Sequence, residues 1–249
     1  MEGPFRKAVF MTPKGYIKTS DNNPLRLDSV PLGNGLLGIS ICPGKNDDLA
    51  RSGPCHRDLY KDLLRIKNWG AKIIVTLLED KELRYLKVPN LGEMAKEMGF
   101  SWWRFHTPDE CPLEIISHPI LDPDLDVWTI PNALLRQFVK AGNRALIHCR
   151  GGLGRTGTLV SRLLIEEGEN PNRAIETVRK ARRGSVENTA QVNYLRDIPR
   201  RLKEKQALLA ALKSLPVDKK FDPMTTLTNN PANFDLQAWV QAVKLYLPS

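Results

Sequence analysis

Short apolar stretches of strand length alternate with helical patterns along most of the chain. Residues 25–30 and 36–41 are two apolar stretches that flank Gly33-Asn34-Gly35, which predicts a β-hairpin. Further runs of strand length follow at 73–78, 100–106 and 145–148. Strands that alternate with helices are typical of an α/β fold. We therefore predict a central, largely parallel sheet flanked by helices, with the hairpin near its N-terminal end.

Capping residues and glycines mark where the predicted helices begin and end. Asp58 is a candidate N-cap for a helix that runs to Trp69 and stops at Gly70. Asn170-Pro171 combines a cap with a first-turn proline and predicts the start of another helix. Helical patterns also cover residues 90–98, 132–141, 155–167 and 187–212.

The alternating pattern ends near residue 214, and this sets the predicted domain boundary. We predict one domain over residues 1–214, with a core at about 20–203. Residues 215–249 form a polar linker rich in Pro and Asn, followed by a short amphipathic helix that Asp235 could cap. That helix either packs back on the domain or binds a partner.

Composition narrows the class of protein. In 249 residues, 41% are hydrophobic, which is enough for a folded core. No apolar run reaches the roughly 20 residues that span a bilayer, and the first residues lack a secretory h-region, so we expect a soluble, cytoplasmic protein. Four cysteines without a C-x-x-C pair favour neither a disulfide framework nor a zinc site.

The net charge of +9 favours anionic partners in general. The basic residues are dispersed, and their denser patches at 179–183 and 200–205 lie in predicted helices, where they are typical of a solvated face. Nucleic acid is therefore not the expected partner.

The segment 145–157, ALIHCRGGLGRTG, carries the chemistry. A predicted strand runs into Cys149, three glycines follow within five residues, and a predicted helix begins near Arg155. Glycines let backbone amides turn inward, and the helix dipole points at the same place, so this loop should bind an anion. A cysteine in that cradle should be a thiolate and a strong nucleophile. Arg155 can hold two phosphate oxygens, and Thr156 can donate a hydrogen bond to the sulfur.

Two other interpretations of this segment are weaker. The nucleotide-binding pattern G-x-x-x-x-G-K-[ST] is not matched, because no lysine ends the loop. A buried structural cysteine beside a Gly-rich turn would not need the Arg155-Thr156-Gly157 sequence that follows.

HCRGGLGRTG resembles the H-C-x5-R-[ST] signature of the cysteine-dependent protein tyrosine and dual-specificity phosphatases. The C-R-G-G-L-G-R form is most similar to the subgroup of the cyclin-dependent-kinase-associated phosphatase and its bacterial relatives. The resemblance covers about residues 20–203 and includes the segment ENTAQVNYL after the loop. It implies the protein-tyrosine-phosphatase fold and a phosphomonoesterase that works through a phosphocysteine.

The resemblance also implies roles for individual residues. Cys149 would be the nucleophile, Arg155 the phosphate clamp, and Thr156 would assist breakdown of the phosphocysteine. Gln191 would position the attacking water, with an ordinary helix-surface residue as the alternative. His148 would orient the loop, as a hydrogen-bonded core histidine can. The substrate-binding backbone would be that of Arg150, Gly151, Gly152, Leu153, Gly154 and Arg155.

The general acid is the point at which this sequence departs from the family pattern. Asp109 follows the predicted strand at 100–106, where relatives carry the acid, and we favour it. Asp122 in HPILD matches the local wording of the family but requires a displaced strand, so it is the alternative. Asp124 and Asp126 are weaker candidates in the same region.

We therefore expect a phosphatase that acts on phosphorylated proteins and needs no metal or other cofactor, because loop amides and Arg155 supply the charge stabilisation. A phosphoinositide, an inositol phosphate or an RNA 5′-phosphate is the alternative substrate, and a non-catalytic phosphoprotein-binding module is the alternative class. Arg150 could recognise a second anion or point to solvent. Cys42 and Cys111 could pair with Cys149 on oxidation, but inert thiols are the expectation. The sequence favours neither phosphotyrosine nor phosphoserine and phosphothreonine, and it indicates no oligomeric state.

Overall fold

A five-stranded sheet organises the protein, whose computed structural model describes residues 16–105 and 129–214. The sheet strands are β1 (Asp28–Leu32), β2 (Gly35–Ser40), β5 (Ala71–Thr76), β6 (Ser101–Arg104) and β7 (Arg144–His148). Their order in the sheet is β1-β2-β7-β5-β6, in which only the β1–β2 pair is antiparallel. Two short strands, β3 (Asn46–Asp47) and β4 (Cys55–His56), pair separately. The predicted mixed α/β class with a largely parallel sheet is confirmed.

Seven helices surround this sheet in the described part of the chain. They are α1 (Leu59–Asn68), α2 (Asp80–Tyr85), α3 (Leu91–Glu97), α4 (Thr129–Lys140), α5 (Gly154–Glu166), α6 (Pro171–Ala181) and α7 (Thr189–Ser214). Six of the seven correspond to predicted helices, and α2 was not predicted. No helix within the described ranges has the length and apolar character needed to cross a membrane.

Local signals explain the element boundaries that the sequence predicted. The hairpin register pairs Leu32 with Gly35, and Gly33 in the turn has φ of 58°, which glycine adopts without strain. Asp58 caps α1 by accepting a hydrogen bond from the Lys61 amide at 2.9 Å. Gly70, with φ of 91°, follows the end of that helix.

Strand β7 lies at the centre of the sheet and positions the functional loop. It is paired in parallel with β2 on one side and with β5 on the other. Its side chains alternate between two cores: Leu146 packs on the face covered by α1, and Ile147 packs on the face covered by α5. The strand ends at His148, so Cys149 lies at the carboxyl edge of the parallel strands, where loops of α/β folds form sites.

The described residues leave two predictions about organisation untested. The division at residue 214 stays a prediction, because residues 215–249 lie outside the described ranges. The segment 106–128, which holds Cys111 and all four candidate acids, also lies outside them.

Candidate active site

The loop between β7 and α5 wraps around the Cys149 thiol. Cys149 follows β7 directly, and its sulfur accepts a hydrogen bond from the Gly152 amide at 3.2 Å. The side chain is almost fully enclosed, with Cys149 only 4% exposed. Helix α5 begins at Gly154, five residues after the thiol, so its amino end faces the same loop. The thiol and the glycine-rich loop that the sequence analysis singled out therefore lie together, and the role of Cys149 as the nucleophile stays a prediction.

Gly152 lets the loop pass close to the neighbouring strand β2. Its φ is 65°, and a β-carbon added there would lie 2.2 Å from the Ser40 carbonyl oxygen. Both facts require glycine at this position. Gly151 is different, because an added β-carbon would meet nothing within 4 Å.

Arg155 is held by an ion pair with Glu82 that sequence reasoning missed. Its terminal nitrogens Nη1 and Nη2 each donate to one Glu82 carboxylate oxygen at 2.7 Å. The Arg155 side chain is 1% exposed and that of Glu82 is 12% exposed. A forked pair of this kind fixes the plane of the guanidinium as well as its position.

Helix α2 supplies Glu82, and a sequence signal for this helix exists. Glu79 and Glu82 form a reciprocal capping box, in which the Glu79 amide donates to the Glu82 carboxylate at 3.1 Å. The pattern E-x-x-E directly after β5 could have revealed the helix, although the usual N-cap is Ser or Thr.

His148 is a neutral, hydrogen-bonded core residue. Burial lowers the pKa of His148 to about 4, and the nearby Arg155 charge acts in the same direction. Its Nε2 lies 2.8 Å from Thr76 Oγ1, which also accepts from Trp102 Nε1 at 2.9 Å. Its Nδ1 lies 3.4 Å from the Cys149 carbonyl oxygen. These contacts support orientation of the loop as its role and make His148 a poor candidate for a base.

Thr156 and Gln191 both lie at the loop, but in different environments. Thr156 is fully buried, and its hydroxyl has no hydrogen-bond partner among the described residues. Gln191 is 2% exposed, and its amide oxygen accepts a hydrogen bond from the Glu187 backbone amide at 2.8 Å. Gln191 is thus close to the loop, and its amide oxygen accepts one hydrogen bond from the backbone there.

Arg150 neither extends freely into solvent nor stands alone. Its guanidinium donates to the buried Asp47 carboxylate at 3.0 Å and lies 4.9 Å from the centre of the Tyr85 ring. Lys45 also contacts Asp47 at 3.1 Å. Burial of Asp47 opposes its ionisation, yet hydrogen bonds from Lys45 and Arg150 lower the pKa of its carboxyl below the usual value.

Arg182, at the end of α6, fastens the outer side of the loop. Its Nη2 donates to the Gly151 carbonyl oxygen at 3.0 Å, and its Nη1 contacts Asp28 of β1 at 2.8 Å. The sequence analysis placed this arginine on a solvated face. Its side chain is in fact only 13% exposed.

The two other cysteines in the described ranges, Cys42 and Cys55, are poorer candidates for the nucleophile than Cys149. Cys42 and Cys55 are buried free thiols, and burial raises the pKa of each. Among the residues that the structure describes, no cluster of three or more His, Cys, Asp or Glu could hold a metal ion. Asp109, Asp122, Asp124 and Asp126 lie outside the described residues, as does Cys111.

Sequence comparison finds one matching family model, of a phosphatase domain, and several similar proteins. Residues 123–207 match the family model described as "PTP-SAK: Swiss Army Knife protein, DSP-PTPase phosphatase domain". Cyclin-dependent kinase inhibitor 3 of the mouse is 27% identical over 187 residues, which cover 71% of this chain and 80% of that protein. Human protein tyrosine phosphatase type IVA 3 is 33% identical over 99 residues, covering 36% of this chain and 57% of that protein.

Structural comparison agrees on the fold. A kinase associated phosphatase, crystallised with its catalytic cysteine replaced by serine, matches with a TM-score of 0.60 and 23% identity. The match covers 73% of this chain and 97% of that one. The likeness establishes a common fold for the two proteins.

Gly152→Ala should damage the loop, whereas Gly151→Ala should not. The first substitution combines an unfavourable φ with a clash against the Ser40 carbonyl, so the free energy of unfolding should fall by about 2 kcal/mol or more. Affinity for inorganic phosphate should fall with it. Denaturant unfolding and calorimetric titration measure the two effects. Equal behaviour of the two variants would contradict the described loop.

Glu82→Ala should leave the buried Arg155 guanidinium without its carboxylate. Breaking a buried pair in this way costs about 3–5 kcal/mol of unfolding free energy, which denaturant unfolding measures. The matched control is Glu93→Ala on the exposed face of α3, which should stay within about 0.5 kcal/mol of the parent. Equal stabilities for the two variants would show that the Arg155–Glu82 pair contributes little.

Proposed function

We propose that this chain, which carries a cysteine-based dual-specificity phosphatase domain, hydrolyses phosphomonoesters on proteins through a phosphocysteine at Cys149. One observation carries the mechanism. The Cys149 sulfur accepts a hydrogen bond from the Gly152 amide, in the same short loop that leads to Arg155. The Arg155 guanidinium is fixed by its two hydrogen bonds to the Glu82 carboxylate. Nucleophile and phosphate clamp are therefore held at one place.

The first step transfers the phosphoryl group to sulfur. The Cys149 thiolate attacks phosphorus, the bond from phosphorus to the substrate oxygen breaks, and an aspartic acid protonates the departing oxygen. Loop amides, the amino end of α5 and the Arg155 guanidinium stabilise the negative charge on the transferring oxygens. The Glu82 fork sets the Arg155 plane before substrate arrives, so little reorganisation is needed.

The second step returns the free enzyme. Water attacks the phosphorus of the phosphocysteine, the bond from phosphorus to sulfur breaks, and Cys149 leaves as a thiolate. The buried Thr156 hydroxyl, one residue beyond the clamp, can donate to the departing sulfur and make it a better leaving group.

A phosphorylated protein is the substrate class that we propose. The relatives named as protein tyrosine phosphatases and as a kinase associated phosphatase support it, and a phosphorylated kinase is one candidate. The net charge of +9 favours an anionic partner. A cytoplasmic location stays a prediction, which the free thiols of Cys42, Cys55 and Cys149 support, since disulfides are rare in that compartment.

The test of the mechanism is labelling and loss of activity at one cysteine. Cys149→Ser should abolish hydrolysis of para-nitrophenyl phosphate yet keep the fold and phosphate binding, whereas Cys55→Ser should keep activity. Iodoacetate should alkylate Cys149 ahead of the other cysteines, with protection by vanadate. Activity should survive a chelator. Equal labelling of all four cysteines, or activity that requires an added metal, would refute the cysteine mechanism.

Asp109→Ala and Asp122→Ala decide which aspartate is the acid. If Asp109 is the acid, its removal should lower kcat by about 10²–10⁴ on a phosphate ester with a poor leaving group. The loss should shrink on an activated aryl phosphate, whose leaving group needs little protonation.

Under this assignment, Asp122→Ala stays near the parent on both substrates. The opposite pattern would assign the acid to HPILD and overturn the choice of Asp109.

A further inference from the structure

The turn between α6 and α7 places the Glu187 carboxylate against residues 149–155, which we call the phosphate loop. A β-carbon added to Gly154 would lie 2.5 Å from Glu187 Oε2 and 2.9 Å from Gln191 Nε2. Gly154 is the residue directly before Arg155, so Glu187 lies beside the half of the loop that carries the clamp. The sequence analysis assigned no role to Glu187.

The backbone that presents Glu187 is strained and firmly anchored. Val186 has φ of 55°, a conformation that is costly for a β-branched residue. Its amide donates to the Leu153 carbonyl oxygen at 3.3 Å, which ties the turn to the loop itself. Arg179 donates to the carbonyl oxygens of Ser185 at 3.0 Å and Val186 at 2.9 Å. Strain that is maintained by so many contacts is typical of functional sites.

Gln191 serves the placement of Glu187. Its amide oxygen accepts the Glu187 backbone N–H, and Gln191 itself is 2% exposed. The Glu187 side chain, by contrast, is 39% exposed and can contact water that enters from solvent. The geometry thus separates a buried positioning residue, Gln191, from a solvent-accessible carboxylate.

The negative charge of Glu187 should weaken phosphate binding in the first step of the reaction. A carboxylate near the cradle repels a phosphate dianion. Arg51 lies 3.8 Å away but is 92% exposed, and such surface pairs are weak. A carboxylate at this place is useful when a water molecule must lose a proton, which is the second step of the proposed reaction.

We propose that Glu187 is a catalytic residue that binds the attacking water and accepts its proton, with Gln191 as its positioning residue. The step rests on the proposed phosphocysteine mechanism. The water oxygen forms a bond to phosphorus, and the bond from phosphorus to Cys149 sulfur breaks. The electron pair of that bond stays on the sulfur, which leaves as the thiolate. One water proton goes to the Glu187 carboxylate and the other remains on the released phosphate, so atoms and charge balance.

Rapid-quench kinetics of Glu187→Gln on para-nitrophenyl phosphate tests this proposal. The variant should release a burst of nitrophenol close to one per Cys149 and then turn over at least about a hundredfold more slowly than the parent. Its kcat/KM should stay at or modestly above that of the parent, because kcat/KM reports only steps up to release of the phenol and the variant no longer repels the phosphate dianion. Mass spectrometry of acid-quenched protein should find the phosphoryl group on Cys149.

Two further variants complete the design. Glu176→Gln, on the exposed face of α6, removes the same charge away from the loop and should match the parent. Glu187→Asp keeps a carboxylate and should recover part of the lost kcat. Thermal unfolding of every variant should match the parent, since both glutamates are exposed.

Several results would overturn the role of Glu187. An unchanged kcat would do so, as would a parallel fall of kcat and kcat/KM without a burst. A rise in kcat/KM at constant kcat would mean that the carboxylate only repels substrate. These outcomes leave the phosphatase function intact, whereas a parent enzyme that hydrolyses no phosphate ester would refute both.

Discussion

The forked ion pair between Arg155 and Glu82 is the constraint on which the site depends. A guanidinium that is 1% exposed keeps its charge, so burying it without a carboxylate would be costly, and Glu82 supplies both oxygens. The pair also joins α2 to the amino end of α5, so the packing of two helices determines where the clamp points. Burial makes the interaction strong, and the fork makes it directional.

The phosphate loop is held from several sides by elements that are remote in sequence. Ser40 of β2 lies against Gly152, and Arg182 of α6 holds the Gly151 carbonyl oxygen. The turn at Val186 is bonded to Leu153. Each contact comes from a different part of the chain, so the loop takes its shape from the assembled domain and not from its own glycines alone.

Much of this architecture is readable in the sequence, because strand runs, caps and glycine stops are local signals. The loop itself is also local, since Cys149 and Arg155 belong to one continuous motif. Glu82 escaped prediction because its helix has six residues, too few for an apolar period, and its partner is 73 positions away. The same holds for Asp47, which lies 103 positions from Arg150. Glu187 was missed because the sequence places it at the start of the predicted helix 187–212, where a charged residue usually faces solvent alone.

The hydrogen bonds of His148 restrict which substitutions homologues of this chain can accept. The Cys149 carbonyl oxygen can only accept a hydrogen bond, so the hydrogen of the neutral imidazole lies on Nδ1, and Nε2 accepts from the Thr76 hydroxyl, which itself accepts from the Trp102 indole. The chain of hydrogen bonds that begins beside Cys149 therefore ends two strands away, at Trp102 of β6. Substitutions at 76, 102 and 148 should therefore be accepted together and not singly, so these three positions should covary among homologues.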